Sequence, residues 1–266
     1  MTSRPAASES SAPSEPPAAG ERPTSRGRRR PGRLAPVVGT ARKLLQDALA
    51  AAGYPDRVLV ACSGGPDSLA LAAVAAYFAR RGHVDGHPVM VGAVVVDHQL
   101  QPGSADIAAA TAVTLRELGL APVEVRTVDV APTGMGPEAA ARDARHAALE
   151  AAANGTGAQA VLLGHTLDDQ AEQVLLGLAR GSGTRSLAGM RPVRGRLLRP
   201  FLGLRRADTL AICAAEGLDP WYDPSNADPS FARSRTRVEV LPVLEAKLGP
   251  GAVSYTHLTL PTILLV

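Results

Sequence analysis

Hydrophobic residues recur along this chain with two different spacings. Short, nearly unbroken apolar runs occur at Arg57–Ala61, Val89–Val96 and Ala160–Leu163. Their length and their Val and Leu content suit strands covered on both faces. Val123–Val130 alternates apolar and polar residues and reads as a further strand. Between these runs the apolar positions follow a helical period. The predicted helices are Ala41–Ala52 capped by Thr40, Asp67–Arg81, a helix capped by Ser104 and running to Leu118, Pro137–Ala153, Asp168–Ala179 and Arg205–Glu216. Gly119 closes the third, and a proline suits the first turn of the fourth. Strands alternating with helices predict an α/β fold: a doubly wound parallel sheet with helices on both faces. In such sheets ligands bind at the carboxyl ends of the strands.

The pattern fails at both ends. Residues 1–34 are rich in Pro, Ser, Ala and Arg with almost no large apolar side chains, so they read as a disordered tail. Residues 35–220 form the α/β domain, and 221–253 an Arg-rich connector ending in a short helical extension. Residues 254–266 carry no formal charge, resemble nothing before them, and read as a non-native end. The tail holds seven Arg and three Glu, which leaves the rest of the chain at −1 despite a total of +3. The basic pI therefore does not show that the folded part binds nucleic acid. Arg180–Arg237 is different, with eleven Arg against five acids. That suits phosphate binding, or reflects a chain that uses Arg for Lys throughout. Two distant cysteines, Cys62 and Cys213, argue against a disulfide scaffold, a zinc ribbon or a cysteine-held iron–sulfur cluster. No run is long enough for a membrane span and no secretory signal opens the chain, so a reducing cytoplasm is the expected setting.

Every candidate for chemistry falls at a predicted strand end. Ser63-Gly64-Gly65-Pro66-Asp67-Ser68 joins the first strand to its helix. Glycines let the backbone curl round an anion, and the amides of the helix terminus point at it. Asp67 would repel a phosphate unless Mg²⁺ bridges the two, so a metal is implied. A simple glycine turn with a Ser or Asp cap has the same composition. The spacing is not G-x-x-x-x-G-K-[ST], which excludes a P-loop kinase or GTPase. Asp97-His98-Gln99-Leu100 ends the second long strand and either orients a nucleotide or metal or caps a turn. Glu138, Arg142 and Arg145 share one stripe of a helix, facing either solvent or a ligand. Gly164-His165-Thr166-Leu167-Asp168-Asp169-Gln170-Ala171-Glu172-Gln173 opens another helix with three carboxylates in one turn. Capping explains acids there, but three exceed what capping needs, and Mg²⁺ or an ammonium group would relieve their repulsion.

The Ser63–Ser68 segment resembles the signature of the PP-loop ATP pyrophosphatases, which adenylate a carbonyl-type oxygen and release pyrophosphate. Within that superfamily the chain resembles the tRNA(Ile)-lysidine synthetases over residues 35–250. Asp97–Gln101 is similar to their D-H-x-L-R, with Gln101 departing. Gly136–His146 is similar to N-x-E-x-x-A-R-x-x-R-Y, with Gly136 and His146 departing. Gly164–Gln173 is similar to G-H-x-x-D-D-Q-x-E-T, with Gln173 departing. Arg180–Gly183, Leu187–Met190, Arg199–Leu202 and Asp223–Asn226, then Arg233, Arg235, Arg237 and Leu241-Pro242, follow R-G-x-G, L-x-G-M, R-P-L-L and D-x-S-N…R-N-x-x-R in order and spacing. Ser234 replaces an Asn there.

The resemblance implies a fold of the adenine nucleotide alpha hydrolase type over 35–220, with ATP and Mg²⁺ as cofactors. It implies the joining of L-lysine to C2 of the wobble cytidine of tRNA(Ile) with a CAU anticodon, through an adenylated tRNA. Ser63, Gly64, Gly65, Pro66, Asp67 and Ser68, with Asp97 and His98, would hold the nucleotide. Asp67 and Asp168 would hold the metal, and His165 and Asp168 would flank the reacting centre. Asp169 and Glu172 would grip the lysine ammonium. Arg142, Arg145, Arg180, Arg233, Arg235 and Arg237 would take phosphates of ATP or tRNA. The last three alternate along what reads as an extended segment, so they would share one face. A homodimer is compatible with all of this. Two rivals remain: a PP-loop tRNA thiolase, whose better-known branch uses paired cysteines that this chain lacks, and a non-catalytic adenine-nucleotide-binding protein, which would not need the three-carboxylate turn.

Overall fold

The apolar runs become β1 (Arg57–Ala61), β4 (Met90–Asp97), β5 (Val123–Thr127) and β6 (Ala160–Leu163), all parallel. Two short strands, β7 (Val193–Arg194) and β8 (Leu197–Leu198), extend the sheet. β8 is parallel to β6, and β7 runs antiparallel at the edge. The order across the sheet is β5-β4-β1-β6-β8-β7. A separate hairpin pairs β2 (His83–Val84) with β3 (His87–Pro88). This computed structural model describes residues 34–99, 101–128, 137–181 and 188–249 with Val253; of Pro137, Glu138, Ala139, Ser225 and Ala227 only the backbone is described. The expected tail up to Arg33 and the atypical end over 254–266 lie outside the described residues. So do Leu100, Gly136, Ser182, Gly183 and Leu187 of the motifs.

Helices cover both faces, as the buried runs require. α1 (Pro36–Ala51), α2 (Pro66–Arg81), α3 (Ser104–Glu117) and α6 (Arg206–Glu216) pack on one side, and α4 (Pro137–Thr156) packs on the other. Alternate residues of each strand divide between the two cores. Val58, Val60, Val91, Ala93, Val95 and Leu162 join the first, while Leu59, Val94, Val161 and Leu163 meet Leu149, Ala152 and Ala153 of α4 in the second. α5 (Leu167–Ala179) follows β6 and carries the C-terminal extension through a small cluster of Ala171 with Leu241.

Three local expectations are corrected. Pro36 opens α1, so Thr40 lies inside the helix, and its hydroxyl donates back to the Pro36 carbonyl at 3.2 Å instead of capping. Ser104 is the first residue of α3, and Gly103, at a left-handed φ of 81°, is the cap. The arginine segment is not extended. Residues Ala232–Arg235 form α7, Thr236–Val240 continue it as a π-helical turn, and α8 (Leu241–Leu248) follows. Along a helix Arg233 and Arg237 share a face, and Arg235 points elsewhere.

β1 lies mid-sheet, and the chain leaves it first toward β4 and β5 and later toward β6 and β8. The crevice at this reversal, beyond the carboxyl ends of β1, β4 and β6, is where the predicted motifs converge.

Candidate active site

The glycine-rich loop leaves β1 and enters α2 with Gly65 as N-cap and Pro66 in the first turn. No side chain caps this terminus, so its free amides face the crevice. Ser68 turns its hydroxyl back into the loop, donating to the Gly65 carbonyl at 3.0 Å and accepting from the Ser63 amide at 3.1 Å. Gly64 is required twice over. Its φ of 83° favours glycine, and a Cβ there would stand 2.6 Å from the Thr111 hydroxyl oxygen. Gly164, at the end of β6, passes so close to the loop that a Cβ would lie 2.8 Å from the Asp67 carbonyl oxygen and 2.9 Å from Ser68 Cα. The Trp221 amide donates to the Gly64 carbonyl at 3.0 Å, tying the start of the C-terminal connector to the same loop.

α5 presents its acids to this loop. Thr166 caps the helix, and Asp169 completes a reciprocal capping box by accepting from the Thr166 amide at 2.8 Å. Capping therefore accounts for one oxygen of Asp169. Its other oxygen and the remaining acids are held by arginines that arrive from α6 and the C-terminal extension. Arg206 places Nε 3.2 Å from Asp67 Oδ2, Nη2 3.1 Å from Asp169 Oδ1 and Nη1 3.6 Å from Glu172 Oε1. Arg205 donates to both oxygens of Asp168 at 3.1–3.3 Å, and the Arg206 amide donates to Asp168 Oδ2 at 2.8 Å. Glu172, wholly buried, is held by Arg237 at 2.7 and 3.1 Å.

The two proposed metal ligands differ in what they have left to offer. A carboxylate has about four lone-pair sites. Asp168 accepts from three N–H groups, the Arg205 Nε–H shared between its two oxygens, the Arg205 Nη2–H and the Arg206 amide, so little of its capacity is left. Asp67 accepts one from Arg206 and one from the Thr209 hydroxyl, which leaves room for a cation at the mouth of the phosphate loop. Burial raises the Asp67 pKa above its ordinary value, and Arg206 and Thr209 oppose that shift. Among the described residues no group of three or more His, Cys, Asp and Glu is arranged to hold a metal by itself. Mg²⁺ does not need one when it arrives on phosphates and keeps several waters.

Two histidines border the crevice, both uncharged. Arg199, itself buried, donates Nε–H to His165 Nδ1 at 3.2 Å, and burial pushes the His165 pKa down to about 4. Arg145 donates Nε–H to His98 Nε2 at 3.1 Å, and burial, reinforced by Arg145, pushes His98 to about 4 as well. Asp97 is buried and accepts from the Gln99 amide at 2.9 Å, so it shapes the strand end. Gln101 donates to Asp223 at 2.8 Å, joining this strand end to the C-terminal connector. Arg142 and Arg145 are exposed on α4, with Arg199 and Arg194 close enough to act electrostatically on the same group, His146. Arg233 reaches Gln173 and Glu172, at 3.3 and 3.8 Å. Arg180 is exposed at the end of α5, away from these pairs, and Arg235 donates to the Pro229 and Ser230 carbonyls. Cys62 and Cys213 are buried thiols with raised pKa values, Cys213 to about 12, and neither is a ready nucleophile.

Thr209 carried no expectation from sequence, and Arg205 and Arg206, part of the Arg180–Arg237 stretch expected to meet phosphates, hold carboxylates here. A signal for them exists. Two arginines at the start of a helix face its positive pole, which is unfavourable unless carboxylates stand opposite.

A mostly parallel sheet with a Gly-rich loop on a helix terminus at its reversal point defines an adenine-nucleotide-binding α/β domain, and residues 39–244 match the PP-loop domain family, to which the chain belongs. It is 61% identical to the tRNA(Ile)-lysidine synthase of Leifsonia xyli subsp. xyli (strain CTCB07) over 73% of this chain and 57% of that one. It is 56% identical to the tRNA(Ile)-lysidine synthase of Salinispora tropica over 83% of this chain and 66% of that one. The chain thus spans 57–66% of the length of these relatives. Among solved structures, the U34-tRNA thiolase NcsA from Methanococcus maripaludis shares the fold with a TM-score of 0.70 at 16% identity, covering 86% of this chain and 80% of that one.

Proposed function

We propose that this protein joins lysine to C2 of the wobble cytidine of tRNA(Ile) with a CAU anticodon, using ATP and passing through an adenylated tRNA. The observation that carries this reading is the position of Arg206, one guanidinium touching both Asp67 and Asp169. It sets the phosphate loop and the acidic turn side by side, so a nucleotide phosphate and a cationic amine can be held against one RNA base. The identity of 52–61% to six proteins named tRNA(Ile)-lysidine synthase supports the choice of substrates.

In this reading the free amides at the start of α2 and the Ser63 hydroxyl bind the pyrophosphate of ATP. Mg²⁺ carried by ATP would be held by Asp67 and would offset the charge that gathers on the leaving pyrophosphate. Transfer of AMP to the cytidine O2 turns a poor leaving oxygen into a good one. The lysine ε-ammonium gives up a proton to solvent, its nitrogen forms a bond to C2, AMP departs with that oxygen, and the joined nitrogen sheds a further proton. His165 is neutral at physiological pH. With Nδ1 accepting from Arg199, its proton sits on Nε2, which makes it a hydrogen-bond donor toward the reacting oxygen and not a base. Asp169 and Glu172 supply the negative charge that selects an ammonium side chain. Arg142 and Arg145 face anionic phosphates. No described helix is long and apolar enough to cross a membrane. The cytoplasm, where tRNA and free lysine meet, is the proposed site of action.

The deciding experiment is incubation with ATP, labelled lysine and tRNA(Ile) bearing a CAU anticodon. Label should enter the tRNA, with AMP and pyrophosphate released in equal amounts. Pyrophosphate release without lysine incorporation would point to a different acceptor chemistry on the same fold.

A further inference from the structure

Glu172 has no exposed surface, yet three guanidinium groups stand within 4 Å of it. Arg237 holds it most closely, Nε to Oε1 at 2.7 Å and Nη2 to Oε2 at 3.1 Å. Arg206 and Arg233 approach at 3.6 and 3.8 Å. Asp67, Asp169 and Glu172 bring three negative charges to this cluster, and the three arginines bring three positive ones. The cluster is therefore balanced as it stands. An incoming ammonium finds no net attraction, and both oxygens of Glu172 are already engaged. Glu172 itself is wholly buried, so a new cation reaches its oxygens only as a present one leaves them.

The three arginines are not equally free to leave. Arg206 opens α6, bridges Asp67, Asp169 and Glu172, and bonds Asp168 through its amide. Arg233 also reaches Gln173, and Arg237 Nη2 also lies 3.8 Å from Asp169 Oδ1. Arg237 lies on the π-helical turn Thr236–Val240, a rare form that occurs mostly as a single turn, often at functional sites. Its neighbours Val238, Glu239 and Val240 are exposed, so the outer side of this turn packs against nothing described. Arg237 Nη1 already lies 3.4 Å from Asn226 Oδ1, an acceptor outside the acidic cluster.

We infer that Arg237 is a guanidinium placeholder in the amine pocket, and that the ε-ammonium of lysine enters by displacing it from Glu172. This rests on the lysine-joining reading above. Exchange of one unit positive charge for another keeps the pocket neutral and Glu172 paired. An amino acid with an uncharged side chain cannot make the exchange, because it would leave a buried carboxylate short of its closest partner. Selection for a cationic side chain thus follows from the competition itself. Arg237 acts here as a specificity-determining residue.

The test compares wild type, Arg237→Gln and Arg237→Lys, with lysine varied at saturating ATP and tRNA and with ATP binding as the check on folding. Removing the competitor should lower the lysine KM of Arg237→Gln by about fivefold or more, since apparent affinity is reduced by the fraction of pockets already filled. Arg237→Lys keeps a cation in place and should stay near the wild-type KM. An unchanged or raised KM in Arg237→Gln, with ATP binding intact, would show an anchor and overturn the inference. The wild type gives a second readout that no misfolded variant can obscure. Saturating lysine should speed amide hydrogen exchange over residues 236–240, and unchanged or slower exchange also overturns it. If wild type adenylates tRNA but never incorporates lysine, the reading of the substrate fails, and this inference falls with it.

Discussion

Arg199 donates its Nε–H to Nδ1 of His165 at 3.2 Å, and its own Nη1 is held by the Arg191 carbonyl at 2.9 Å. A guanidinium thus fixes the tautomer of a half-buried imidazole and disfavours a second proton on it. Arg145 does the same to His98 at 3.1 Å.

These two histidines predict an acid-sensitive fold. Both have folded pKa values of about 4 against an ordinary 6.5. Between those values the unfolded chain binds more protons than the folded one. Their contribution is complete above 6.5 and declines as the pH falls toward 4. Asp67, whose pKa burial raises, acts in the opposite sense over the acidic part of that range. With two imidazoles against one carboxyl, Tm should fall from pH 7 to pH 5. A His98→Asn, His165→Asn double variant should show a shallower fall. Equal slopes in the two proteins would mean that the imidazoles are not held neutral.

Asp67→Ala should abolish tRNA-dependent pyrophosphate release, by about 10²-fold or more if its carboxylate anchors the metal-bound phosphates. Binding of tRNA should persist. Full pyrophosphate release by this variant would remove Asp67 from the nucleotide site.

Gly164→Ala tests the close approach of β6 to the phosphate loop. The new methyl would sit 2.8 Å from the Asp67 carbonyl oxygen, and backbone cannot swing aside as a side chain can. Overpacking of this kind costs about 1–3 kcal/mol, so ATP affinity measured by calorimetry should drop by about tenfold while the circular dichroism stays native.

Arg206→Ala leaves Asp67, Asp169 and Glu172 without the group that bridges them. Removing one member of a buried ionic cluster costs about 3–5 kcal/mol, read as a lower urea midpoint with unchanged m. A loss under about 1 kcal/mol would place Arg206 with surface pairs.

If the proposed substrate is right, the face that meets tRNA is best sought on α4 and β7. Arg237 and Arg233 are engaged with Glu172, and among the described residues no carboxylate pairs with Arg142. Neutralising Arg142 and Arg194 together should weaken tRNA binding and reduce the slope of log K against log salt by about two, with ATP binding unaffected. An unchanged slope would move the interface to Arg180 and Arg235.

The long strands and their helices were legible because Val- and Leu-rich runs of this length have few other uses. β7 and β8 were not, since two residues carry no period, and they exist only because Leu197 and Leu198 find β6 beside them. The phosphate loop was legible for a local reason: glycine, proline and hydroxyl residues between a strand and a helix state their geometry in sequence. The partners of the acids were hidden because an ion pair has no pattern along the chain. Arg206 meets Asp67 across 139 residues, and Arg237 meets Glu172 across 65. The alternation of Arg233, Arg235 and Arg237 misled because a period of two was read into a stretch that folds as a helix.

The hydrogen bond from Thr209 to Asp67 joins residues 142 positions apart, and Trp221 reaches back to Gly64 from further still. A ribosome will have made the phosphate loop, its strand and its helix long before α6 leaves the exit tunnel. During that interval Asp67 has neither its arginine nor its hydroxyl, and the loop lacks the amide that pins its carbonyl. The backbone of the phosphate loop is thus made well before the side chains and the amide that finally hold its acid and its carbonyl in place.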